Sequence, residues 1–554
     1  MDVFFVQLSM VSPPAFAVQP RLAVDVLSAF LALAAGSYIL RALRSLIKTR
    51  EFHSFATIRK CRNPRRLNPG FTLGVVHKFN LLFERYGDLF DDYFANKFRD
   101  NGATHAIVNA FGIPRVVHTI EPANLRHVLT TSAGDWGVFS GQRNSLYPLA
   151  QNGVLTTSGL QWAHNRKPLS RHVNGVRSKD PRVVESDISA LFEAIGSSDD
   201  KGWTSASDMS DLLRRMALDM ATTFFFGVTA QSQSSGVRRR TGNTSLNNNP
   251  DTRLGKSMAL TEDFTNAWKQ VTDFVTWRAA LGSKYWMADG PQYRAACAKM
   301  EEFADRLIDD VAAQAAVSTD SNATVCLVSK LLDDFRDRTA VRHNVLELCI
   351  AGQNMSGTAL QWAFAELGNN PAVFTGLRSE ILATFGTEGA VDAHPMTWEY
   401  LRTCHLLQGI IAETLRLHPV VPTIARTALC DTVLPKGGGH DGQSPIAVPK
   451  GATFNSNLYL MHQRAEEWGD DAWVWKPRRW IGRTVGPEFA PFSSGPRNCM
   501  GRQLALTEMS FVLARVAQHF EAMRGAPSEE RLTHRYRGIL VPRHGVHIQF
   551  QQSA

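Results

Sequence analysis

Apolar residues fill the stretch from Leu22 to Leu40, broken only by Asp25, Ser28, Ser37 and a few small residues. The run predicts one helix, and nineteen residues at the helical rise reach about 28 Å, close to the hydrocarbon thickness of a thin bilayer. Asn63-Pro64 to Pro69-Gly70 then reads as a hinge. Phe79 to Phe94 has amphipathic spacing, and Ala106-Ile107-Val108 and Arg115-Val116-Val117 are short β-rich pieces. Residues 229–256 are polar and predict a loop. Helical spacing dominates from Leu260 to Leu332, with Phe264, Trp268, Phe274, Trp277 and Trp286 among it. A further helix from Val341 to Leu367 stops at Asn369-Asn370-Pro371. Turn residues from Leu434 to Gly451 predict a hairpin, and an apolar-periodic helix runs from Arg502 to about Phe520.

Charge sharpens the reading of the N-terminus. The 554 residues carry a net charge of +9. Residues 1–66 hold +7 of it, nine of their basic residues lying between Arg41 and Arg66. A basic balance confined to one segment argues against a nucleic-acid surface. It fits the cytoplasmic flank of a membrane helix. Ala15-Phe16-Ala17 would pass as a signal cleavage site, but no basic region precedes it. The expected organisation is a tail over 1–21, a transmembrane anchor over 22–40, a basic and proline-containing hinge over 41–69, and a catalytic domain over 70–554. Seven cysteines (61, 297, 326, 349, 404, 430 and 499) show no zinc-ligand spacing, and an odd count argues against a disulfide framework. A cytoplasmic domain would leave the sequons at Asn243 and Asn322 unglycosylated.

The densest chemistry lies in Phe492-Ser-Ser-Gly495-Pro-Arg497-Asn-Cys499-Met-Gly501. Cys499 immediately precedes a helix, where free N–H groups and the helix dipole favour an anion and lower a thiol pKa. Gly495 and Gly501 would let backbone approach a flat cofactor, and Arg497 offers a fixed cation to a carboxylate. These ten positions resemble the Phe-x-x-Gly-x-Arg-x-Cys-x-Gly haem loop of the cytochrome P-450 family. Other segments, in family order, resemble it too. Trp162 and Arg166, four apart on one helical face, are similar to the family's haem-propionate clamp, and Arg426 to a further propionate ligand. Glu413 and Arg416 match the Glu-x-x-Arg helix, with Arg479 of Pro477-Arg478-Arg479-Trp480 as their structural partner. The Gly437-Gly438-Gly439 run lacks the Lys-Ser/Thr and following helix of a phosphate loop. Its hairpin instead resembles that of the fungal alkane- and fatty-acid-hydroxylase branch.

The resemblance covers roughly residues 70–550. It implies a mainly α fold with small β-sheets, haem b between two long helices, and Cys499 as the iron's thiolate ligand. The implied reaction is monooxygenation of a lipophilic substrate with dioxygen and electrons from NADPH through a membrane-bound reductase. The substrate is a fatty acid or alkane, or an intermediate of fungal secondary metabolism. The implied location is the endoplasmic reticulum membrane, single-pass, with the catalytic domain cytoplasmic.

One segment departs from the family. In Ala351-Gly352-Gln353-Asn354-Met355-Ser356-Gly357-Thr358, Asn354 stands where the oxygen-activation motif has an acid and Met355 where it has a threonine. Only Ser356 keeps a hydroxyl. The sequence therefore favours proton delivery by substrate or water. It also leaves open a haem-thiolate isomerase, dehydratase or peroxide-using enzyme, or a haem-binding protein without catalysis.

Overall fold

The computed structural model describes residues 20–67, 88–109, 112–176, 184–233, 253–317, 326–389, 394–526 and 532–552. Both sequons, and most of the predicted 229–256 loop, lie outside these residues. The chain divides into Met1–Lys60 and Cys61–Ala554.

The first unit contains helix α1, Pro20–Ile58. It covers the apolar run and continues through the basic residues expected to begin the hinge. Leu33, Ile39, Leu43 and Ile47 are exposed along it. The side chains of residues 20–27 lie outside the described set. Among the described residues, no helix is long and apolar enough to cross a membrane.

The second unit is mainly helical with small sheets, as expected. Helices α2 (Gly159–Val176), α3 (Met209–Phe226), α4 (Arg253–Leu281) and α5 (Pro291–Val317) precede a central α6 (Arg338–Asn369). After it come α7 (Pro371–Phe385), α8 (His405–Leu417) and α9 (Arg502–His519). Asp337 starts α6 by accepting the Thr339 N–H at 2.9 Å, a side-chain cap that satisfies one orphan donor.

Helix α6 is apolar on more than one face because it serves two cores. Val341, Val345, Leu346 and Cys349 enter one with α3, α4 and α5. Leu360, Ala363, Phe364 and Leu367 enter another with α7, α8 and α9. The segment around Gly352–Ser356 lies at the junction. Gly357 there has a packing reason: a Cβ would press on Ala217 Cβ and the Leu213 carbonyl of α3. Of the aromatic residues on α4, Phe264 and Trp268 are buried, whereas Trp277 and, just beyond, Trp286 are exposed.

Six strands form the main sheet in the order β1-β2-β3-β9-β6-β4. They are β1 Arg65–Leu67, β2 Thr104–Val108, β3 Pro114–Thr119, β4 Trp136–Val138, β6 Thr423–Ala428 and β9 Thr453–Asn457. Both predicted β-rich pieces are strands here, and the expected hinge contributes β1. The predicted hairpin is β7 (Thr432–Gly438) with β8 (Ser444–Val448), antiparallel. A smaller sheet joins β10 (Phe520–Gly525), β13 (His547–Gln552) and β5 (Ser207–Asp208), and β11 (His534–Tyr536) pairs with β12 (Leu540–Pro542). The amphipathic helix predicted from Phe79 lies outside the described residues up to 87. Its described end is a π-helical turn, Leu89–Phe94, leading into an α-helix at Ala95–Asn101.

Candidate active site

Backbone hydrogen bonds fold the cysteine loop on itself. The Ser493 N–H donates to the Ala490 carbonyl at 3.0 Å, Cys499 N–H to Phe492 at 2.9 Å, and Asn498 N–H to Gly495 at 3.1 Å. Gly495 has φ +71°, and a Cβ on it would overlap the Leu129 carbonyl oxygen. The turn and the neighbouring chain therefore require this glycine, a reason the sequence does not reveal. At Gly501 a Cβ would meet only the Cys499 sulfur, at ordinary contact distance. Phe492 packs against the core that includes α9, and the Arg502 guanidinium lies 5.9 Å from its ring centroid.

Helix α9 has no side-chain cap. The backbone N–H groups of Gly501 and Arg502 instead act on the Cys499 sulfur, favouring its anion. The expected depression of the thiol pKa does not follow. Burial pushes the thiol up, outweighing those N–H groups and the charges of Arg166 and Arg502. Yet Cys499 retains accessible surface. Both observations hold if the sulfur faces a space enclosed by protein, since surrounding protein desolvates a group that a water molecule can still touch. Deprotonation at such a place is favoured by a metal cation on the sulfur.

Three guanidinium groups gather around this loop. Arg166 donates from Nη2 to Asn498 Oδ1 at 2.6 Å. Arg497 donates from Nη2 to the Thr157 carbonyl at 3.0 Å and stacks 4.4 Å over the Trp162 ring. Arg426, on β6, reaches the Ala425 carbonyl at 2.9 Å. Burial pulls Arg497 down to about 10, with the charges of Arg426 and Arg166 adding to it. Burial alone brings Arg426 to about 10. Among the described residues, no carboxylate pairs with any of the three. Desolvated, mutually repelling cations are costly without an anion. A ligand carrying carboxylates and a thiophilic metal fits this donor set. The structure thus brings Trp162, Arg166, Arg426, Arg497 and Cys499 together from three separate stretches of chain.

On α6, the side chain of Asn354 lies outside the described residues. Met355 is half-buried against the core containing α9. Ser356 is buried and donates its hydroxyl to Glu508 Oε2 at 3.3 Å. Glu508 was not legible as a candidate: it sits on α9, 152 residues away.

Glu413, Arg416 and Arg479 meet in one buried network that takes in further groups. Glu413 and Arg416 have fully buried side chains and form a two-pronged pair, Nε to Oε2 and Nη2 to Oε1, each 2.8 Å. Arg479 Nε reaches Glu413 Oε1 at 3.2 Å. The Lys476 N–H and the Trp480 indole N–H, each 2.9 Å away, complete the carboxylate's shell. Arg416 also donates to the carbonyls of His462, Ala472 and Val474. Asp471 takes a second contact from Arg479 at 2.7 Å, a role with no signal in the sequence. A Cβ at Gly409 would overlap the Pro477 carbonyl, so this glycine lets the arginine segment reach α8. Arg478 is exposed, in keeping with a surface position.

The sequence pattern of the family described as Cytochrome P450 matches residues 78–550. The chain is 31% identical to "Cytochrome P450 monooxygenase milC" of Cordyceps militaris, over 87% of this chain and 90% of the relative. It is 29% identical to "Cytochrome P450 52A3-A" of Candida maltosa, over 83% and 86%. With "Cytochrome P450 monooxygenase alt2" of Alternaria solani it shares 29% over 81% and 84%. The chain belongs to the cytochrome P450 family, and the protein is a haem-thiolate monooxygenase.

Proposed function

We propose that this protein inserts one oxygen atom of dioxygen into a lipophilic substrate at a haem b bound through Cys499. Trp162, Arg166, Arg426 and Arg497 hold the two propionate carboxylates. The cluster of desolvated, carboxylate-free guanidiniums beside a cysteine at an uncapped helix start carries this assignment. Bound haem supplies reductive activation of dioxygen, and a thiolate ligand pushes electron density towards iron and favours O–O cleavage. The residues of this chain orient the cofactor, exclude water and hold protons. Ser356 Oγ and Glu508 pair an alcohol with an acid on facing helices, the two kinds of group the altered motif lacks at its usual places. This pairing supports monooxygenation over the isomerase, dehydratase or peroxide-dependent alternatives.

Electrons come from NADPH through a membrane-bound reductase. Helix α1 attaches the protein to the endoplasmic reticulum membrane through Leu22–Leu40, with the catalytic unit in the cytoplasm. Its exposed Leu33, Ile39 and Leu40, followed by Arg44, Lys48 and Arg50, support that placement. The substrate is a long-chain fatty acid or alkane, or a polyketide or terpenoid intermediate. Supplying the full chain with haem, reductase and NADPH tests the reaction: product carrying one atom of labelled dioxygen is expected. Product formation without NADPH would overturn it. The metabolite that accumulates when the gene is deleted identifies the substrate.

A further inference from the structure

Asn344 and Glu347 lie one helical turn apart on α6, and both are completely buried. They turn to the segment that leads into α2. Asn344 Oδ1 accepts the Val154 N–H at 3.0 Å. Glu347 Oε2 accepts the Leu155 N–H at 2.5 Å, and Oε1 accepts the Thr156 hydroxyl at 2.7 Å. The carboxyl lies so close to the chain that a Cβ at Gly153 would overlap it. The next two residues of this segment serve Arg497: the Thr157 carbonyl at 3.0 Å and Ser158 Oγ at 3.4 Å. Six consecutive residues thus have a buried carboxyl at one end and a cofactor-facing guanidinium at the other.

We propose that Glu347 is a positioning residue for the anion-binding cluster. By clamping 153–156 to α6 it fixes the Thr157 carbonyl, and through it the guanidinium of Arg497. This rests on the reading of Arg497 as a propionate ligand and extends that grip to a second layer. The position needs two hydrogen-bonding atoms rather than a charge. Burial pushes the Glu347 carboxyl up to about 7, although the Leu155 N–H and Thr156 hydroxyl pull it down. A glutamine meets the same need. Its oxygen accepts from Leu155, and its amide donates to the Thr156 oxygen, whose hydroxyl turns to the Gly153 carbonyl, already 3.3 Å away. A leucine leaves the buried Leu155 N–H unpaired, and leaves the Thr156 hydroxyl only the Gly153 carbonyl.

The test is the rate of haem transfer from the full-length holoprotein to excess apomyoglobin. Glu347→Leu should release haem about tenfold faster, the effect of losing one hydrogen bond to a charged group. Glu347→Gln should stay near the wild-type rate. Arg497→Leu should also release faster, and Glu347→Leu with Arg497→Leu no faster than Arg497→Leu alone, because both act through one guanidinium. If Glu347→Leu does not accumulate as folded protein, Thr156→Val, of nearly the same shape, replaces it with the same expected direction and non-additivity. Multiplying effects in the double variant, or an unchanged rate in Glu347→Leu or its replacement, would overturn the positioning role alone. An unchanged rate in Arg497→Leu would instead overturn the propionate reading, and the proposal with it.

Discussion

Ser356 on α6 donates its hydroxyl to Glu508 on α9 across 3.3 Å. That contact changes the expectation for proton supply, because the sequence offers only Asn354 and Met355 where an acid and an alcohol usually stand. Positioned acid–base groups contribute about 10²–10⁴-fold to rate. Ser356→Ala should therefore lower product formed per NADPH consumed by about tenfold or more, with the haem spectrum intact. Glu508→Gln, which keeps a hydrogen-bonding oxygen but cannot titrate, should behave alike. Unchanged coupling in both variants would return proton delivery to water or to a substrate hydroxyl.

Cys499 is expected to ligate iron. Reduced protein under carbon monoxide should give the red-shifted Soret band of a thiolate ligand. Cys499→Ser should lose that band, and its persistence would mean that another residue binds the metal.

Glu413 is expected to be a structural carboxylate. Its oxygens receive Arg416, Arg479, Trp480 and the Lys476 N–H. Removing one partner of a buried pair costs about 3–5 kcal/mol, because the charge left behind has no solvent. Glu413→Ala should accumulate little haem-loaded protein, measured as the ratio of haem absorbance to protein. Normal loading with altered turnover would contradict this role.

Gly495 combines a left-handed backbone with contact to the Leu129 carbonyl. Gly495→Ala must strain the turn and push that chain away, whereas Gly501→Ala meets only the Cys499 sulfur at 4.0 Å. The first variant should lose thermal stability and haem content markedly, by about 1–3 kcal/mol. The second should fold nearly normally. Equal stability of the two proteins would refute the packing argument.

The proposed N-terminal anchor is tested by deleting residues 1–40. Part of the protein should leave the membrane fraction, and the rest should wash off in high salt, since the basic residues up to Arg66 still attract anionic lipid. Retention that resists salt would place the anchor elsewhere.

The cysteine loop and the Glu413–Arg416 pair were legible because each is local. Ten adjacent positions specify one turn, and two residues three apart on a helix share a face. The strands at residues 106–108 and 115–117, the hairpin after Leu434 and the stop of α6 at Asn370-Pro371 follow equally from short-range pattern. Cys499 marks where local reasoning fails. Its place at a helix start argues for a lowered pKa, but burial raises it, and burial belongs to the whole fold.

Sequence by itself determined the family, the thiolate candidate and the arginines suited to anions, since residue types and spacing carry that chemistry. Tertiary structure alone decided which distant groups meet. Glu508 reaches Ser356, Asp471 shares Arg479, and Glu347 grips the segment beneath Arg497. Likewise Glu366, His418, His534 and Asp88 form one buried hydrogen-bonded chain from four parts of the sequence. No periodicity encodes such pairs. A buried polar group must find its partner wherever packing brings one, because leaving it unpaired away from water costs more than any local preference can supply.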